Sequence, residues 1–273
     1  MGRALAHGRA RLCQGSTTAL FVGGAVLTLG VMALAAVAGE IVALIAGALG
    51  VAGLVLEGLA LKSTLALRGL ARAAREVARA LAAGDLHAAR ASLGLHLVSR
   101  PTVVLDAGHV ASGAIESTAE NLTDSFVAPL LFYLAFGLPG ALAYRALNTA
   151  DTMLGYRDGP LEHFGKLAAR LDDLANLVPA PVAGLTIVIA AGRHARRAWQ
   201  VMVRDQGKTA SPNAGWTMSA AAGALDVTLE KPNHYRLGDG RPPDAADIER
   251  SIALIGRAAA IAIALALLMR AAF

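Results

Sequence analysis

Three runs of almost unbroken apolar sequence limit what this chain can fold into more than any other feature. They cover residues 17–38, 41–61 and 252–273 and consist mainly of Ala, Leu, Val, Ile and Gly. A helix of about 20 such residues crosses a hydrocarbon core of about 30 Å. The chain is also 55% apolar and only 16% charged, with a mean hydropathy of +0.52, and soluble domains rarely have this composition. The three runs therefore predict transmembrane helices.

The first run predicts a permanent anchor rather than a cleaved secretory signal. Arg3, Arg9 and Arg11 precede it, as basic residues precede the apolar part of a signal peptide. The run is too long for a signal peptide, however, and a second run follows at once.

Two shorter apolar segments carry helix breakers. Residues 127–147 are interrupted by Gly137-Leu-Pro139-Gly140, and residues 177–191 contain Pro179 and Pro181. Such segments either cross the membrane or turn back within it. We favour two membrane-dipping hairpins, because two full crossings would place residues 148–176 on the opposite side from the acidic residues that precede position 126.

The predicted fold class is an all-α integral membrane protein, a helical bundle with three to five membrane segments, some of them re-entrant, plus cytoplasmic helices and loops. Residues 1–62 form an N-terminal transmembrane helix pair, in which Glu40 is the polar residue of a tight turn. Residues 63–250 form a catalytic region with segments 127–147 and 177–191, and residues 251–273 form a C-terminal transmembrane helix.

Positive charge is concentrated in two loops, residues 62–100 and 193–208, which the positive-inside rule places in the cytoplasm. This orientation predicts a multi-pass protein of the inner (cytoplasmic) membrane. Within the first loop, a basic amphipathic helix ending at Gly84-Asp85 carries Arg68, Arg72, Arg75 and Arg79 opposite Leu67, Leu70, Val77 and Leu81. Such a helix either lies on anionic lipid of the bilayer or holds a substrate phosphate. No nucleic acid partner is expected, because the basic loops lack interleaved aromatic residues.

An acidic stripe precedes the first of the shorter apolar segments. In Ile115-Glu-Ser-Thr-Ala-Glu-Asn-Leu-Thr-Asp124, the carboxylates of Glu116, Glu120 and Asp124 are four residues apart. On a helix each step of four advances only about 40° around the axis, so the three side chains share one face. Stacked like charges beside a membrane need a counter-charge, and a hard divalent cation carrying phosphate suits oxygen ligands best. The stripe predicts a membrane enzyme that handles magnesium-bound phosphate.

Familiar catalytic motifs are absent from the sequence. Gly53, Gly58 and Lys62-Ser63 have part of the spacing of a phosphate loop, but the Gly-Lys junction is missing and the residues lie in an apolar run. There is no dinucleotide-binding glycine motif, no His-Glu-x-x-His and no nucleophile elbow. Because Cys13 is the one cysteine, an internal disulfide and a cysteine-built zinc site are excluded.

Four polar islands interrupt the later apolar sequence. They are Arg145-Ala-Leu-Asn148-Thr-Ala-Asp151-Thr-Met-Leu-Gly155-Tyr156, Ala169-Arg170-Leu-Asp172-Asp173-Leu-Ala-Asn176-Leu-Val-Pro179, Ser211-Pro-Asn213-Ala-Gly215-Trp216 and Pro232-Asn-His-Tyr235. With the acidic stripe, and in this order, they resemble the CobD/CbiB family of cobalamin biosynthesis, the adenosylcobinamide-phosphate synthases. The resemblance covers about residues 57–250.

The resemblance implies an integral membrane ligase that joins adenosylcobyric acid to aminopropanol phosphate, or an analogue, with cleavage of ATP as co-substrate. Amide formation of this type needs an activated carboxylate, Mg²⁺ and a base for the incoming ammonium. A homo-oligomer, or a complex with other membrane enzymes of the cobalamin pathway, is a further expectation.

By residue type, the stripe and the islands give three groups of candidate site residues. The candidate catalytic residues are Glu116, Glu120, Asp151, Asp172 and Asp173. The candidate metal ligands are Glu120, Asp124 and Asp151. The candidate substrate-binding residues are Glu57, Asn121, Arg145, Asn148, Tyr156, Asn176, Ser211, Asn213, Trp216, Asn233 and Tyr235.

Several of these residues have a structural alternative. Glu116 can pair with a neighbouring arginine, Arg145 can reach lipid headgroups, and Asp172 can cap or brace a helix. Tyr156 and Trp216 can be interfacial anchors. Glu57 is a functional candidate because a carboxylate near the end of an apolar span must be paired or hydrated, and Lys62 is a nearby partner for it.

The chain departs from the family pattern in two places. Family members usually begin with a Gly-Asp-Pro and His-Pro-Val element that residues 1–50 lack, and they have Ser-Arg-Asp where this chain has Ser99-Arg100-Pro101. These departures keep open a second hypothesis, a noncatalytic corrinoid-binding membrane protein that acts as a sensor or assembly partner.

Overall fold

The computed structural model describes residues 1–156 and 158–272, and nearly all of them are helical. The helices of the first half are α1 (Gly2–Leu12), α2 (Thr17–Ala48), α3 (Val51–Thr64), α4 (Leu67–Ala82), α5 (Leu86–His96), α6 (Ala107–Leu122) and α7 (Ala128–Leu154). Those of the second half are α8 (Leu161–Phe164), α9 (Lys166–Ala175), α10 (Pro179–Ala190), α11 (Ala195–Asp205), α12 (Ala214–Leu225) and α13 (Ala245–Ala272). The strands β1 (Leu229–Lys231) and β2 (Tyr235–Leu237) form an antiparallel hairpin.

The sequence prediction of an all-helical membrane-type fold is confirmed. Three helical segments, Thr17–Ala48, Ala107–Leu154 and Ala245–Arg270, are long and apolar enough to cross a membrane. A bent pair, Lys166–Ala175 with Pro179–Ala190, raises the number to four if the pair is one span. These candidate spans agree with a multi-pass membrane protein.

The chain divides into two compact units, each made of two separate stretches of sequence. The first unit consists of Met1–Leu65 and Ala128–Asn176, and the second consists of Ala66–Val127 and the chain from Leu177 onward.

In the first unit, α2 packs along α7, with α1, α8 and α9 around this pair. The core is formed by small and branched residues, among them Val31 and Ala35 of α2 and Ala146 and Ala150 of α7. Glycines allow the backbones to approach closely. A Cβ at Gly39 would lie 2.7 Å from the Cα of Pro139, and a Cβ at Gly24 would overlap the carbonyl of Phe164.

The predicted turn at Glu40 is wrong. Helix α2 continues through Glu40, and the break comes ten residues later at Gly50, whose φ is +55°. Gly39 is not part of a turn; its missing side chain allows the close contact with Pro139. Glu40 is exposed on the helix surface. The helix pair is therefore unequal, because the 14 residues of α3 extend only about 21 Å and α2 alone has the length of a full span.

The expected break at Gly137-Leu-Pro139-Gly140 is present. Gly137 has φ +65° and ψ −162°, a conformation outside the helical region that glycine adopts without a steric cost. Helical structure resumes and continues to Leu154, so Asn148 and Asp151 lie on a helix. Whether residues 127–147 cross the membrane or dip into it stays a prediction.

In the second unit, α6 is the central helix. Residues 110–119 are all buried, and α6 contacts α4, α5, α12, α13 and β1. Its small residues, including Ala111, Gly113 and Ala114, let these neighbours approach from several sides. Asp106 begins the helix by accepting a hydrogen bond of 2.8 Å from the backbone N–H of His109.

The predicted basic amphipathic helix is confirmed as α4. Ala74, Val77 and Ala78 are buried on one face, while the arginines at 68, 72, 75 and 79 are exposed. The helix ends just before Gly84, which has φ +75°, and Asp85 then caps α5 through the backbone N–H of Ala88.

The acidic stripe is not one regular α-helical row. Helix α6 ends at Leu122, and Thr123–Val127 form a π-helical turn that contains Asp124. A π-helical turn has a wider repeat than an α-helix and so displaces later side chains around the axis. Glu116 and Glu120 stay on one face, whereas Asp124 lies beyond the change of helix type.

The hairpin of the second unit is fastened to α11 by a buried carboxylate, Asp205. Its side chain has no exposed surface and contacts Arg204 at 2.8 Å and Lys208 at 2.6 Å. It also accepts a hydrogen bond of 2.8 Å from the backbone N–H of Gly238, directly after β2. Burial alone would raise the pKa of Asp205, but these three donors outweigh it and hold the pKa well below its usual range.

We predict that Gly24→Ala destabilises the first unit, because its Cβ overlaps backbone that cannot move aside. Overpacking of this kind costs about 1–3 kcal/mol. The higher helix propensity of alanine offsets up to about 1 kcal/mol of that cost, so we expect a net loss of up to about 2 kcal/mol. Gly30→Ala is the matched control, since it lies on the same helix with open space at its Cβ. Thermal unfolding in detergent measures both; equal or raised melting temperatures for both variants would contradict the close approach.

We predict that Asp205→Asn lowers the free energy of unfolding at pH 7 by about 1–3 kcal/mol, because charged hydrogen bonds are lost. The folded pKa is depressed, so this stabilisation is present above the unfolded pKa of about 3.9 and disappears as the pH falls through the folded pKa. The difference between wild type and variant should therefore shrink below about pH 4. Melting curves at several pH values test this, with the exposed Asp158→Asn as control. A difference that does not depend on pH would refute the ionic origin.

Candidate functional site

A polar cavity of about 190 Å³ in the second unit collects several of the candidate residues. We call it the Glu116 cavity. Its charged and polar lining consists of Ser99, Arg100, Glu116, Ser117, Glu120, Lys231 and Tyr235. Three of these, Glu116, Glu120 and Tyr235, were predicted from the sequence. Tyr235 is more than a hundred residues from the two glutamates along the chain.

Glu116 is held by three neighbours at the wall of this cavity, and its side chain is only 7% exposed. Its Oε1 accepts a hydrogen bond of 2.7 Å from the hydroxyl of Ser112, and its Oε2 accepts one of 2.9 Å from Tyr235. Nη2 of Arg100 lies 3.6 Å from Oε2. These neighbours fix the orientation of the Glu116 carboxylate at the cavity wall.

The hairpin brings Tyr235 and Lys231 to the cavity. The backbone N–H of His234 donates to the carbonyl of Lys231 at 3.0 Å, and Asn233 has φ +63°. Proline at the second position and asparagine with positive φ at the third are typical of a type II turn. The turn pairs Lys231 with Tyr235 in the strand register. Asn233, predicted to bind substrate, is exposed and has this turn geometry, while its substrate role stays a prediction.

Ser112 connects the hairpin to the central helix. Its hydroxyl donates to Glu116 and accepts a hydrogen bond of 2.7 Å from the backbone N–H of Glu230 in β1. Burial raises the pKa of the Tyr235 phenol well above its usual value, and the charge of Glu116 and the hydrogen bond to it raise it further. Tyr235 therefore stays protonated and remains a donor to Glu116.

The Glu116 cavity combines two carboxylates with two cationic side chains. Nη2 of Arg100 is buried and makes no hydrogen bond to any part of the chain that the structure describes. Buried polar groups normally have partners, so this donor is suited to a ligand that is an anion. The cavity can hold a phosphate or carboxylate on its basic side and accept a proton on its acidic side.

A second candidate site lies in the first unit, where a chain of hydrogen bonds joins α7 to α9. Tyr144 donates to Oδ1 of Asn176 at 2.9 Å, and Asn176 donates to Oδ2 of Asp172 at 3.0 Å. Asn148 donates to Oδ1 of Asp172 at 3.4 Å, and Arg145 donates to Asn148 at 3.3 Å. We call these five residues the Asp172 network. Four of them were predicted as site residues, and Tyr144 was not.

Asp151 and Asp173 lie beside the Asp172 network. Asp151 is within electrostatic range of both Asp172 and Asp173. Asp173 and Tyr156 also line a cavity of about 260 Å³ together with Lys166 and Arg170. This cavity again combines an acidic and a basic side, which suits a phosphorylated or zwitterionic ligand.

Three other predicted residues have local partners. Glu57 accepts a hydrogen bond of 2.8 Å from Tyr133, so a tyrosine partners it where the sequence suggested Lys62. Asn121 donates to the carbonyl of Ser117 at 3.0 Å and accepts from Ser125 at 3.1 Å, which bridges the start of the π-helical turn. Asp124 is not among the lining residues of the Glu116 cavity.

The third island forms the start of α12. The hydroxyl of Ser211 accepts a hydrogen bond of 3.2 Å from the backbone N–H of Asn213, and Asn213 is buried directly before the helix. Trp216 is partly buried in the first turn. Their substrate contacts stay predictions.

No group of three or more His, Cys, Asp or Glu side chains is placed to hold a metal ion among the described residues. Mg²⁺ often takes only one or two protein carboxylates, several waters and the phosphates of a substrate. The carboxylate of Glu120 in the Glu116 cavity suits a metal of that kind, which arrives bound to phosphate. A joint role of Glu120, Asp124 and Asp151 as ligands stays a prediction.

Sequence reasoning missed Ser112, Lys231 and Tyr144 and did not assign Arg100 to a site. Ser112 lies four residues before Glu116, and residues at this spacing are neighbours on a helix, so the sequence could have indicated this contact. Lys231 directly precedes the Pro232 island, and Tyr144 directly precedes Arg145. In each case the missed residue borders a recognised motif.

Comparison with known proteins places the chain in a family. The model of the CobD/Cbib protein family matches residues 1–255. The chain is 46% identical over 212 residues to "Cobalamin biosynthesis protein CobD" of Dehalococcoides mccartyi. The aligned region covers 76% of this chain and 68% of that protein. It is 40% identical over 201 residues to "Probable cobalamin biosynthesis protein CobD" of Methanocaldococcus jannaschii, which covers 72% and 64% respectively.

A third relative, "Cobalamin biosynthesis protein CobD" of Geobacter metallireducens, is 46% identical over 187 residues, which covers 67% of this chain and 58% of that protein. The chain thus spans about two thirds or less of the length of these curated relatives. No solved structure matches it. The family match over almost the whole chain confirms the resemblance carried by the acidic stripe and the polar islands, and the chain belongs to the CobD/Cbib protein family.

Proposed function

We propose that this protein is an ATP- and Mg²⁺-dependent ligase of cobalamin biosynthesis, which forms an amide between adenosylcobyric acid and aminopropanol phosphate or an analogue. The observation that carries the proposal is the Glu116 cavity, where a buried carboxylate with fixed orientation lies beside a second carboxylate and two cations. Membership of the CobD/Cbib family and the names of the relatives support a role in this pathway.

The proposed reaction has two steps. A carboxylate oxygen of adenosylcobyric acid attacks the γ-phosphorus of ATP, and the bond to the bridging oxygen breaks to release ADP and leave an acyl phosphate. The amine nitrogen of the second substrate then attacks the acyl carbon, and phosphate leaves as the amide forms. The amine must first lose a proton from its ammonium form, so a base is required next to the reacting carbon.

The residues of the Glu116 cavity match these requirements. Arg100 and Lys231 bind and orient the phosphate or the acyl phosphate, because both present N–H donors to the cavity. Glu120 accepts the proton of the ammonium, and Glu116 keeps Arg100 and Tyr235 in place. Mg²⁺, when bound with the nucleotide, would neutralise phosphate charge, and Glu120 would supply an oxygen ligand.

The Asp172 network of the first unit is a second candidate binding site for the substrates. Arg145 and the two asparagines offer donors for a carboxylate or phosphate, and the aspartates can hold an amine. Since ATP is a cytoplasmic substrate, we place this chemistry at the cytoplasmic face of the inner membrane, in agreement with the basic loops.

We predict that Glu116→Gln and Glu120→Gln both lower kcat tenfold or more, which is about 1.4 kcal/mol or above in transition-state free energy. The reason is the loss of an anionic oxygen in each variant. Added Mg²⁺ should restore part of the rate of Glu120→Gln but not that of Glu116→Gln, whose partners are protein donors. The assay follows amide product by mass and ADP release, with full-length protein in detergent, adenosylcobyric acid, aminopropanol phosphate and Mg-ATP.

Glu76→Gln is the matched control, because Glu76 is a half-exposed glutamate of the same unit whose partner is His96 at 3.8 Å. It should leave the rate unchanged. If the folded wild-type protein binds the corrinoid yet forms neither ADP nor amide with any amine, the ligase proposal fails. The noncatalytic corrinoid-binding function, consistent with Pro101 in place of the family's aspartate, would then take its place.

A further inference from the structure

A second cavity in the second unit is separate from the Glu116 cavity. It has a volume of about 570 Å³ and lies between α4 and α13. Four arginines of α4 line one side, Arg68, Arg72, Arg75 and Arg79, and Ile252, Ile255 and Gly256 of α13 line the other. We call this cavity the arginine groove.

Few carboxylates of the protein neutralise the positive charge of the arginine groove. Arg75 lies 3.4 Å from Glu249, and both side chains are about half exposed, so this pair is weak. Arg68, Arg72 and Arg79 have no carboxylate partner among the described residues. Their spacing of four and seven residues places them on one face of α4, where three unneutralised guanidinium groups repel one another. An anion that binds along this row removes the repulsion.

The other side of the groove is apolar. Ile255 is only 5% exposed, and Ile252 is partly buried beside it. Leu67 and Leu70 of α4 extend the same apolar surface. These α13 residues belong to the candidate span Ala245–Arg270, between Arg250 and Arg257. The groove therefore has a cationic side on α4 and an apolar side on α13, and the apolar side belongs to a candidate membrane span.

We propose that the arginine groove binds one anionic phospholipid. The headgroup phosphate contacts Arg68 and Arg72, which are one turn apart on α4. Arg79 adds positive charge further along the groove, and an acyl chain lies along Ile252 and Ile255. An inorganic phosphate or a nucleotide would satisfy the arginines but leave the isoleucine wall without an apolar partner. A zwitterionic lipid would cover the wall but give the arginine row less net negative charge. An anionic phospholipid matches both sides at once, and bound lipid then fixes α4 against α13.

This inference does not depend on the proposed ligase activity. None of the arginines of α4 lines the Glu116 cavity or belongs to the Asp172 network. Lipid binding can therefore be measured on inactive protein, and its failure would leave the ligase proposal untouched.

The experiment is native mass spectrometry of the full-length protein in a neutral detergent, titrated with phosphatidylglycerol or with phosphatidylcholine of the same acyl chains. We expect one tightly retained phosphatidylglycerol per protein and at least tenfold weaker retention of phosphatidylcholine. The double variant Arg68→Gln/Arg72→Gln should lose at least tenfold in phosphatidylglycerol affinity. Gly256→Leu should have a similar effect, because its side chain enters the open groove without meeting other atoms.

Two control variants match these changes. Arg9→Gln/Arg11→Gln removes the same charge from exposed positions of α1, and Gly30→Leu adds the same side chain in open space on α2. Both should bind phosphatidylglycerol like the wild type. Equal retention of the two lipids, or equal losses in test and control variants, would overturn the proposal. Displacement of the lipid by millimolar inorganic phosphate or ATP would also overturn it and identify a soluble phosphate site instead.

Discussion

The requirement that a buried charge must have partners governs the polar interior of this protein. Its helices are built largely from apolar residues, so each carboxylate that leaves the surface needs donors from neighbouring segments. Glu116 obtains them from Ser112 and Tyr235, with Arg100 as a nearby counter-charge. Asp205 obtains them from Arg204, Lys208 and the backbone of Gly238. These contacts fasten the hairpin to α6 and α11, and those of Glu116 also form part of the wall of the Glu116 cavity. Packing and proposed chemistry therefore rest on the same side chains around Glu116.

Small residues make the close helix packing possible. In the first unit, Gly24 and Gly39 let α2 approach the backbone at Phe164 and Pro139. In the second unit, α6 and α12 are buried along almost their whole length, and both are rich in Ala, Gly and Ser. Interfaces of this type are common between helices in membranes, where close van der Waals contact replaces part of the hydrophobic driving force.

The sequence predicted the features that depend on local pattern. Helix α4, the break at Gly137 and the apolar character of α2 and α13 all follow from residue type and spacing, and the structure confirms them. The continuation of α2 past Glu40 was not predicted from the sequence, because it depends on the tertiary contact between Gly39 and Pro139. Turn chemistry at Pro232-Asn233 was visible but was not recognised as a hairpin. The partners of Glu116 and Asp172 could not be predicted, since they come from distant segments that only the fold brings together.

The central claim is that the Glu116 cavity serves a ligase that activates a carboxylate with ATP. The most direct test uses adenosylcobyric acid labelled with ¹⁸O in the reacting carboxylate and follows the label during turnover. If an acyl phosphate forms, one ¹⁸O atom from each labelled carboxylate passes to inorganic phosphate as the amide appears, and ADP is the nucleotide product. Label that is found in AMP would show activation by adenylation, and amide product with no label in phosphate or nucleotide would contradict the account.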